Sequence, residues 1–274
     1  MLKQRIITAL WGLPLLIVAV WFDRPWPWFT ILLAGGGLLA VYEFYRLVNT
    51  TQIPPLTVLG LVFTLLFIVS PHFGDRLTPS LLLSLAVIVP LVWLLGRPQR
   101  AGVFIGWAWT VGGIFYVGGL LRYLVLLRGL DDGRNWLLLA LLATIASDST
   151  AFFVGRALGR HHLAPRISPA KTWEGAVGGV LGAVLVSLLF RLPTLFYLPL
   201  SYGQALLLGL LVSIFAQVGD LVESLLKRQT GVKDSGRLVP GHGGILDRID
   251  GLIFAGVLVY YYGLAYQAGW LNWL

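Results

Sequence analysis

The densest polar segment of the chain lies between two apolar stretches toward its C-terminal end. It runs Gly219-Asp220-Leu221-Val222-Glu223-Ser224-Leu225-Leu226-Lys227-Arg228, then Lys233-Asp234, then Pro240-Gly241-His242-Gly243-Gly244-Ile245-Leu246-Asp247-Arg248-Ile249-Asp250. If the preceding helix continues past Gly219, the i, i+3, i+4, i+7 spacing puts Asp220, Glu223, Ser224 and Lys227 on one face. Asp247 and Asp250 likewise share a face at the start of the next helix, and a short returning loop can bring the two acidic faces together. Carboxylates that close repel one another unless a cation occupies the space between them. Hard oxygen ligands without cysteine or a suitable histidine pair select Mg²⁺, which takes one or two carboxylates and completes its shell with phosphate oxygens and water. The plain alternative makes Asp247-Arg248 and Asp250 loop ion pairs and an N-cap.

Gly241-His242-Gly243-Gly244 immediately before a helix frees backbone N–H groups to approach an anion, and the helix N-terminus adds positive potential. With Lys227, Arg228, Lys233 and Arg248 around it, the turn reads as a polyphosphate cradle. His242 by itself is equally a hydrogen-bonded loop residue. An earlier polar stretch carries Ser168-Pro169-Ala170-Lys171-Thr172-Trp173-Glu174. Its hydroxyls and ammonium can bind phosphate, or Thr172 can simply cap the following helix while Lys171 marks the cytoplasmic side. Asp148 falls inside an apolar segment, where a carboxylate costs on the order of 2.5–3.5 kcal/mol on insertion scales, so it is expected to face the bundle interior or a water-filled cavity. Glu43 lies nearer a segment end, where pairing with Arg46 at i+3 is the simplest expectation.

The elements that must position these residues are apolar. Of 274 residues 57% are hydrophobic and 12% charged, too few charges to cover the surface of a soluble domain. The chain therefore belongs in lipid, and the absence of cysteine excludes disulfide and thiolate metal scaffolds. Apolar stretches at 6–22, 26–48, 56–71, 79–96, 103–127, 136–155, 175–190, 198–219 and 252–270 predict an all-α polytopic membrane protein of about nine spanning helices. The first stretch lacks a small-x-small cleavage site and is expected to be a retained helix. With the N-terminus cytoplasmic, fourteen of the twenty Lys and Arg fall in inside segments, five in outside segments, and Arg122 within a helix. This distribution orients the N-terminus in and the C-terminus out, with the long polar loops at 156–174 and 227–248 cytoplasmic. A single membrane domain over 1–274 is expected, with N-terminal helices at 1–135 and the catalytic helices and loops at 136–274. The net charge of +8 is spread between apolar segments, which favours orientation in a bilayer and anionic substrates over nucleic acid.

Ser224-x-x-Lys227-Arg228-x4-Lys233-Asp234, continued through Pro240-Gly241-His242-Gly243-Gly244-x-x-Asp247-Arg248-Ile249-Asp250, resembles the signature of the phosphatidate cytidylyltransferases, or CDP-diacylglycerol synthases. The stretch from Asp148 to Arg156 and the block from Ser168 to Gly175 resemble the same family. The resemblance implies conversion of CTP and phosphatidic acid to CDP-diacylglycerol and pyrophosphate at the cytoplasmic face of an inner membrane. It implies Mg²⁺ held at Asp220 and Asp247 with Asp250 adjacent, and a second, monovalent cation such as K⁺. Catalytic roles then fall to Asp220, Asp247 and Lys227. Substrate binding falls to Asp148, Ser168, Lys171, Thr172, Glu174, Arg228, Lys233, Asp234, His242, Gly243, Gly244 and Arg248. Ala170 departs from the family pattern, whose members often carry a further lysine there, and family analogy allows a homodimer. Two rival readings are a CTP-dependent polyprenol or phytol kinase, which would release CDP instead of pyrophosphate, and a transporter of an anionic metabolite.

Overall fold

The computed structural model describes residues 14, 16–22, 27–49, 54–96, 102–193, 196–232, 234–236 and 243–273. Most of the stretch expected to form the first span, with Lys3, Arg5, Arg24, Arg97, Arg100 and Arg237 of the charge count, lies outside them. The helices are α1 (Trp28–Asn49), α2 (Thr57–Val69), α3 (Pro79–Leu95), α4 (Val103–Gly113), α5 (Leu120–Arg128), α6 (Gly133–Leu158), α7 (Trp173–Leu189), α8 (Tyr202–Gln229) and α9 (Leu246–Gln267). A 3₁₀ segment, Ser70–Leu77, extends α2, and one π-helical stretch, Ile114–Gly119, joins α4 to α5. Among the described residues six helical stretches are long and apolar enough to cross a membrane, while Pro79–Leu95 and Trp173–Leu189 are shorter apolar helices. The fold is all-α as expected, with one short addition: residues His162–Ala164 and Ser168–Thr172 form an antiparallel two-stranded hairpin within the first polar loop.

Helix exteriors carry large apolar side chains, among them Val58, Leu95, Phe104, Phe153, Leu181 and Leu185, each at least half exposed. Such a surface is stable against lipid and not against water. The molecule is an integral membrane protein.

The chain divides into two compact units, residues 1–125 with 229–248, and residues 126–228 with 249–274. In the first, Phe63, Phe67, Leu82, Ala86 and Ile114 form a buried core. The Tyr45 hydroxyl of α1 donates to the Thr110 carbonyl of α4 at 2.8 Å. Inside the helical stretch that contains α5, Arg122 donates to the Ser70 hydroxyl at 2.9 Å, which satisfies a charged group at membrane depth.

In the second unit α6 and α7 pack backbone to backbone. Gly175, Gly178 and Gly182 of α7 sit against Ala151, Val154 and Ala146 of α6, where an added Cβ would clash. This small-residue spacing replaces hydrophobic association, which supplies nothing between helices in lipid. The polar interior is closed by a chain of hydrogen bonds. Ser147 and Ser213 lie 2.8 Å apart, and the Gln217 amide donates to Ser213 at 2.9 Å and to the Ala176 carbonyl at 3.2 Å.

Candidate active site

Helix α8 does continue past Gly219, to Gln229, so its acids occupy the expected face. Gly219 lies against the backbone carbonyl of Asp250, and Gly251 against Ala216, a close approach of α8 and α9 that larger residues would prevent. Asp220, Glu223 and Asp250 are thereby gathered. Asp250 lies beside Glu223 and feels the charge of Asp220. Two lysines answer these acids: Lys171 Nζ lies 2.7 Å from Asp220 Oδ2, and Lys227 Nζ lies 2.9 Å from Glu223 Oε2. The Ser224 hydroxyl donates to Asp220 Oδ1 at 3.3 Å. Glu223 is wholly buried, so removing one partner of its ion pair with Lys227 costs far more than breaking a surface pair.

The hairpin brings Lys171 to this cluster. Thr172 takes the capping role, its Oγ1 accepting from the Gly175 amide at 3.1 Å. Arg228 donates to the Ile167 carbonyl at 3.0 Å, tying the tip of the hairpin to the end of α8. Glu174 accepts from the backbone amides of Arg160 and His161, and His161 Nδ1 lies 2.6 Å from its carboxylate. The His161 contact first, and then the Arg160 amide, hold the Glu174 carboxyl down at about 2.

In the first unit, three donors converge on Asp247 Oδ2. They are the Ser235 amide at 3.0 Å, the Ser235 hydroxyl at 2.8 Å and the Gly244 amide at 2.8 Å. The plain alternative for Asp247 is thus partly realised, because a first-turn acid reaching back to an amide before the helix is a capping interaction. Gly243 adopts φ +84°, which side-chain-bearing residues rarely do, and lies against the same carboxylate. Asp234 and Arg248 are exposed and Ser168 is half-buried. Lys233 and His242 lie outside the described residues.

Asp148, expected to face the bundle interior or a water-filled cavity, is exposed on α6, while Ser147 beside it is buried. One expectation is corrected. Glu43 is not paired with Arg46, which turns to the exposed side. It is 2% exposed, and its Oε2 accepts from the Leu246 amide at 2.9 Å and from the Ser235 hydroxyl at 3.2 Å. Glu43, Ser235 and the Ser147-Ser213-Gln217 chain are the polar groups that sequence reasoning did not place. The signal available was an acid within an apolar helix, which called for a buried partner more than for a neighbour one turn away.

Among the described residues no three Asp, Glu or His side chains converge tightly enough to hold a metal ion as they stand. The donor chemistry nonetheless fits Mg²⁺: the acids are hard oxygen donors gathered in pairs beside lysines, and this ion needs only one or two protein carboxylates when phosphate supplies the rest.

The cytidylyltransferase family model matches residues 3–266. The chain belongs to that family. Relatives of the same length agree: it is 39% identical over 267 residues to the phosphatidate cytidylyltransferase of Brucella abortus, covering 96% of this chain and 93% of the relative. It is 34% identical over 266 residues to the enzyme of that name from Bacillus subtilis, covering 95% and 97%. The chloroplastic phosphatidate cytidylyltransferase 5 of Arabidopsis thaliana is 35% identical over 293 residues, covering 94% of this chain and 71% of the relative. Within the second unit this family member gathers Asp220, Glu223 and Asp250 beside Lys171 and Lys227.

Proposed function

We propose that the protein is a phosphatidate cytidylyltransferase: an oxygen of the phosphatidic acid phosphate attacks the α-phosphorus of CTP, a new P–O bond forms, and pyrophosphate leaves. The observation that carries this reading is the near full-length match to enzymes of that name, with the gathered Asp220, Glu223, Asp250, Lys171 and Lys227 as its chemical support.

A phosphate monoester is already an anionic nucleophile near neutral pH, so the chain needs no strong general base. Its work is to bring two polyanions together and hold them in line. In this reading Lys227, Arg228 and Lys233 hold the triphosphate with the amides of the Gly243-Gly244 turn, with His242 and Arg248 beside them. Lys171, which pairs with Asp220, would offer its ammonium to a substrate phosphate. Ser168, Thr172, Glu174, Asp148 and Asp234 shape and line the substrate path. Asp220, Asp247 and Asp250 would hold Mg²⁺, with a monovalent cation such as K⁺ as the second ion on family resemblance. Bound Mg²⁺ neutralises charge on the pyrophosphate leaving group.

The Lys and Arg distribution supports an N-terminus in the cytoplasm and a C-terminus outside, so that nucleotide arrives from the cytoplasm and lipid from the inner leaflet of an inner membrane. A homodimer is part of the proposal by analogy. Purified protein incubated with CTP labelled at the α-phosphate, phosphatidic acid and Mg²⁺ should move label into the lipid phase and release pyrophosphate. Release of CDP with a phosphorylated lipid alcohol would instead support a kinase.

A further inference from the structure

We infer that Glu43 is a positioning residue for the loop that presents Asp247, acting from the N-terminal helices on a segment that follows almost two hundred residues later. Glu43 is a carboxylate in an apolar helix with 2% exposure, a placement that costs several kcal/mol unless something answers it. Its Oε2 accepts from both flanks of the polar loop, the Ser235 hydroxyl on one side at 3.2 Å and the Leu246 amide on the other at 2.9 Å. Gly236 and Gly244 lie so close to this carboxylate that any Cβ at either position would collide with it. Ser235 is itself buried and turns the same hydroxyl to Asp247 Oδ2 at 2.8 Å. One hydroxyl hydrogen therefore lies between two acids, and movement of Glu43 changes what Asp247 receives.

Leu246 begins α9, so the bond from its amide to Glu43 also fixes where that helix starts, and with it the direction of Asp247 one residue on. Among the described residues Glu43 Oε1 has no hydrogen-bond partner. An amide nitrogen there would bury two donors, so Glu43→Gln should cost stability while its oxygen keeps the acceptor contacts that position the loop.

The inference rests on the proposed role of Asp247, and the experiment separates the two. Mixed-micelle kinetics and hydrogen exchange are compared for the wild type and for the Glu43→Ala, Glu43→Gln, Ser235→Ala, Glu43→Ala/Ser235→Ala and Asp247→Asn proteins. Glu43→Ala should lower kcat/KM about 100-fold, the scale of a ~1 Å displacement of a reacting group. Glu43→Gln, which keeps the acceptor oxygen, should recover most of that loss. The double variant should be no worse than Glu43→Ala alone, since both changes break one connection. Exchange at the Leu246 amide should rise in Glu43→Ala while amides in the α6–α7 pair stay protected. If Glu43→Gln fails to fold, Ser235→Ala alone must still raise the Mg²⁺ concentration needed for half-maximal rate. The inference is overturned by a Glu43→Ala protein within twofold of wild type while Asp247→Asn is inactive, or by losses that multiply in the double variant. Full activity of Asp247→Asn would instead remove the role of Asp247 on which the inference stands.

Discussion

The two acidic regions of the molecule differ in the contacts that hold them. Around Asp220 and Glu223 the partners include cations, Lys171 and Lys227 at 2.7 and 2.9 Å, beside the Ser224 hydroxyl. Around Asp247 Oδ2 the three converging donors are neutral, two amides and one hydroxyl. Lysine pairs hold charge that can be exchanged, because a lysine freed from a carboxylate can turn to a phosphate. Neutral donors fix the direction of a carboxylate without cancelling its charge. In the proposed function the first region would exchange counter-ions with a polyanionic substrate, while the amide and hydroxyl contacts of the second orient Asp247 Oδ2.

This contrast can be broken in several places. The largest effect should come from Asp220→Asn and Asp247→Asn, each lowering kcat on the order of 10²–10³-fold, the scale of losing one well-placed electrostatic group. Unfolding midpoints in detergent should barely move for Asp220→Asn, and a large drop there would make Asp220 a structural residue. Next, Lys227→Met leaves the buried Glu223 without its cation and should cost about 3–5 kcal/mol of stability. Lys227→Met/Glu223→Gln should regain much of it, as judged by chemical unfolding. Lys171→Met should act differently, raising the KM for CTP or phosphatidic acid several-fold with little change in stability, since both members of its pair are partly exposed. The smallest effect belongs to Glu174. Its lowered carboxyl contributes stability above about 4.5, its ordinary value, and that contribution is lost as pH falls toward about 2. Glu174→Gln should therefore narrow the stability difference between pH 7 and pH 3, measured by thermal scans at the two pH values.

How much of this was legible follows from how far each group's partner lies along the chain. The face of α8 was legible because Asp220, Glu223, Ser224 and Lys227 sit at helical spacing, and their partners within α8 are one turn away. Thr172 was legible as a cap because capping is a contact with the third residue on. Glu43 was misplaced because its partners are 192 and 203 positions away, a distance at which local pairing rules name the wrong residue. The direction of Asp148 was not legible because Ser147, Ser149 and Thr150 make every side of that turn of α6 polar, so periodicity marks no single inner face. Gly175, Gly178 and Gly182, by their spacing, mark the inner face of α7 against α6 better than any hydrophobic residue does. The hairpin at 162–172 was missed because its strands are short and polar, without the alternation that marks a half-buried strand.

In the proposed function Asp220 and Asp247 act on one step, transfer of a cytidylyl group to a lipid phosphate. Its most direct test is the turnover of CTP and phosphatidic acid by Asp220→Asn, Asp247→Asn and the double variant, at saturating Mg²⁺ and with lipid-bound cytidine nucleotide as the product counted. Residues acting on one step are strongly non-additive, so the double variant should be about as slow as the slower single variant. Near-wild-type turnover by either single variant, or a double variant whose loss is the product of the two, would mean that Asp220 and Asp247 do not act on one step.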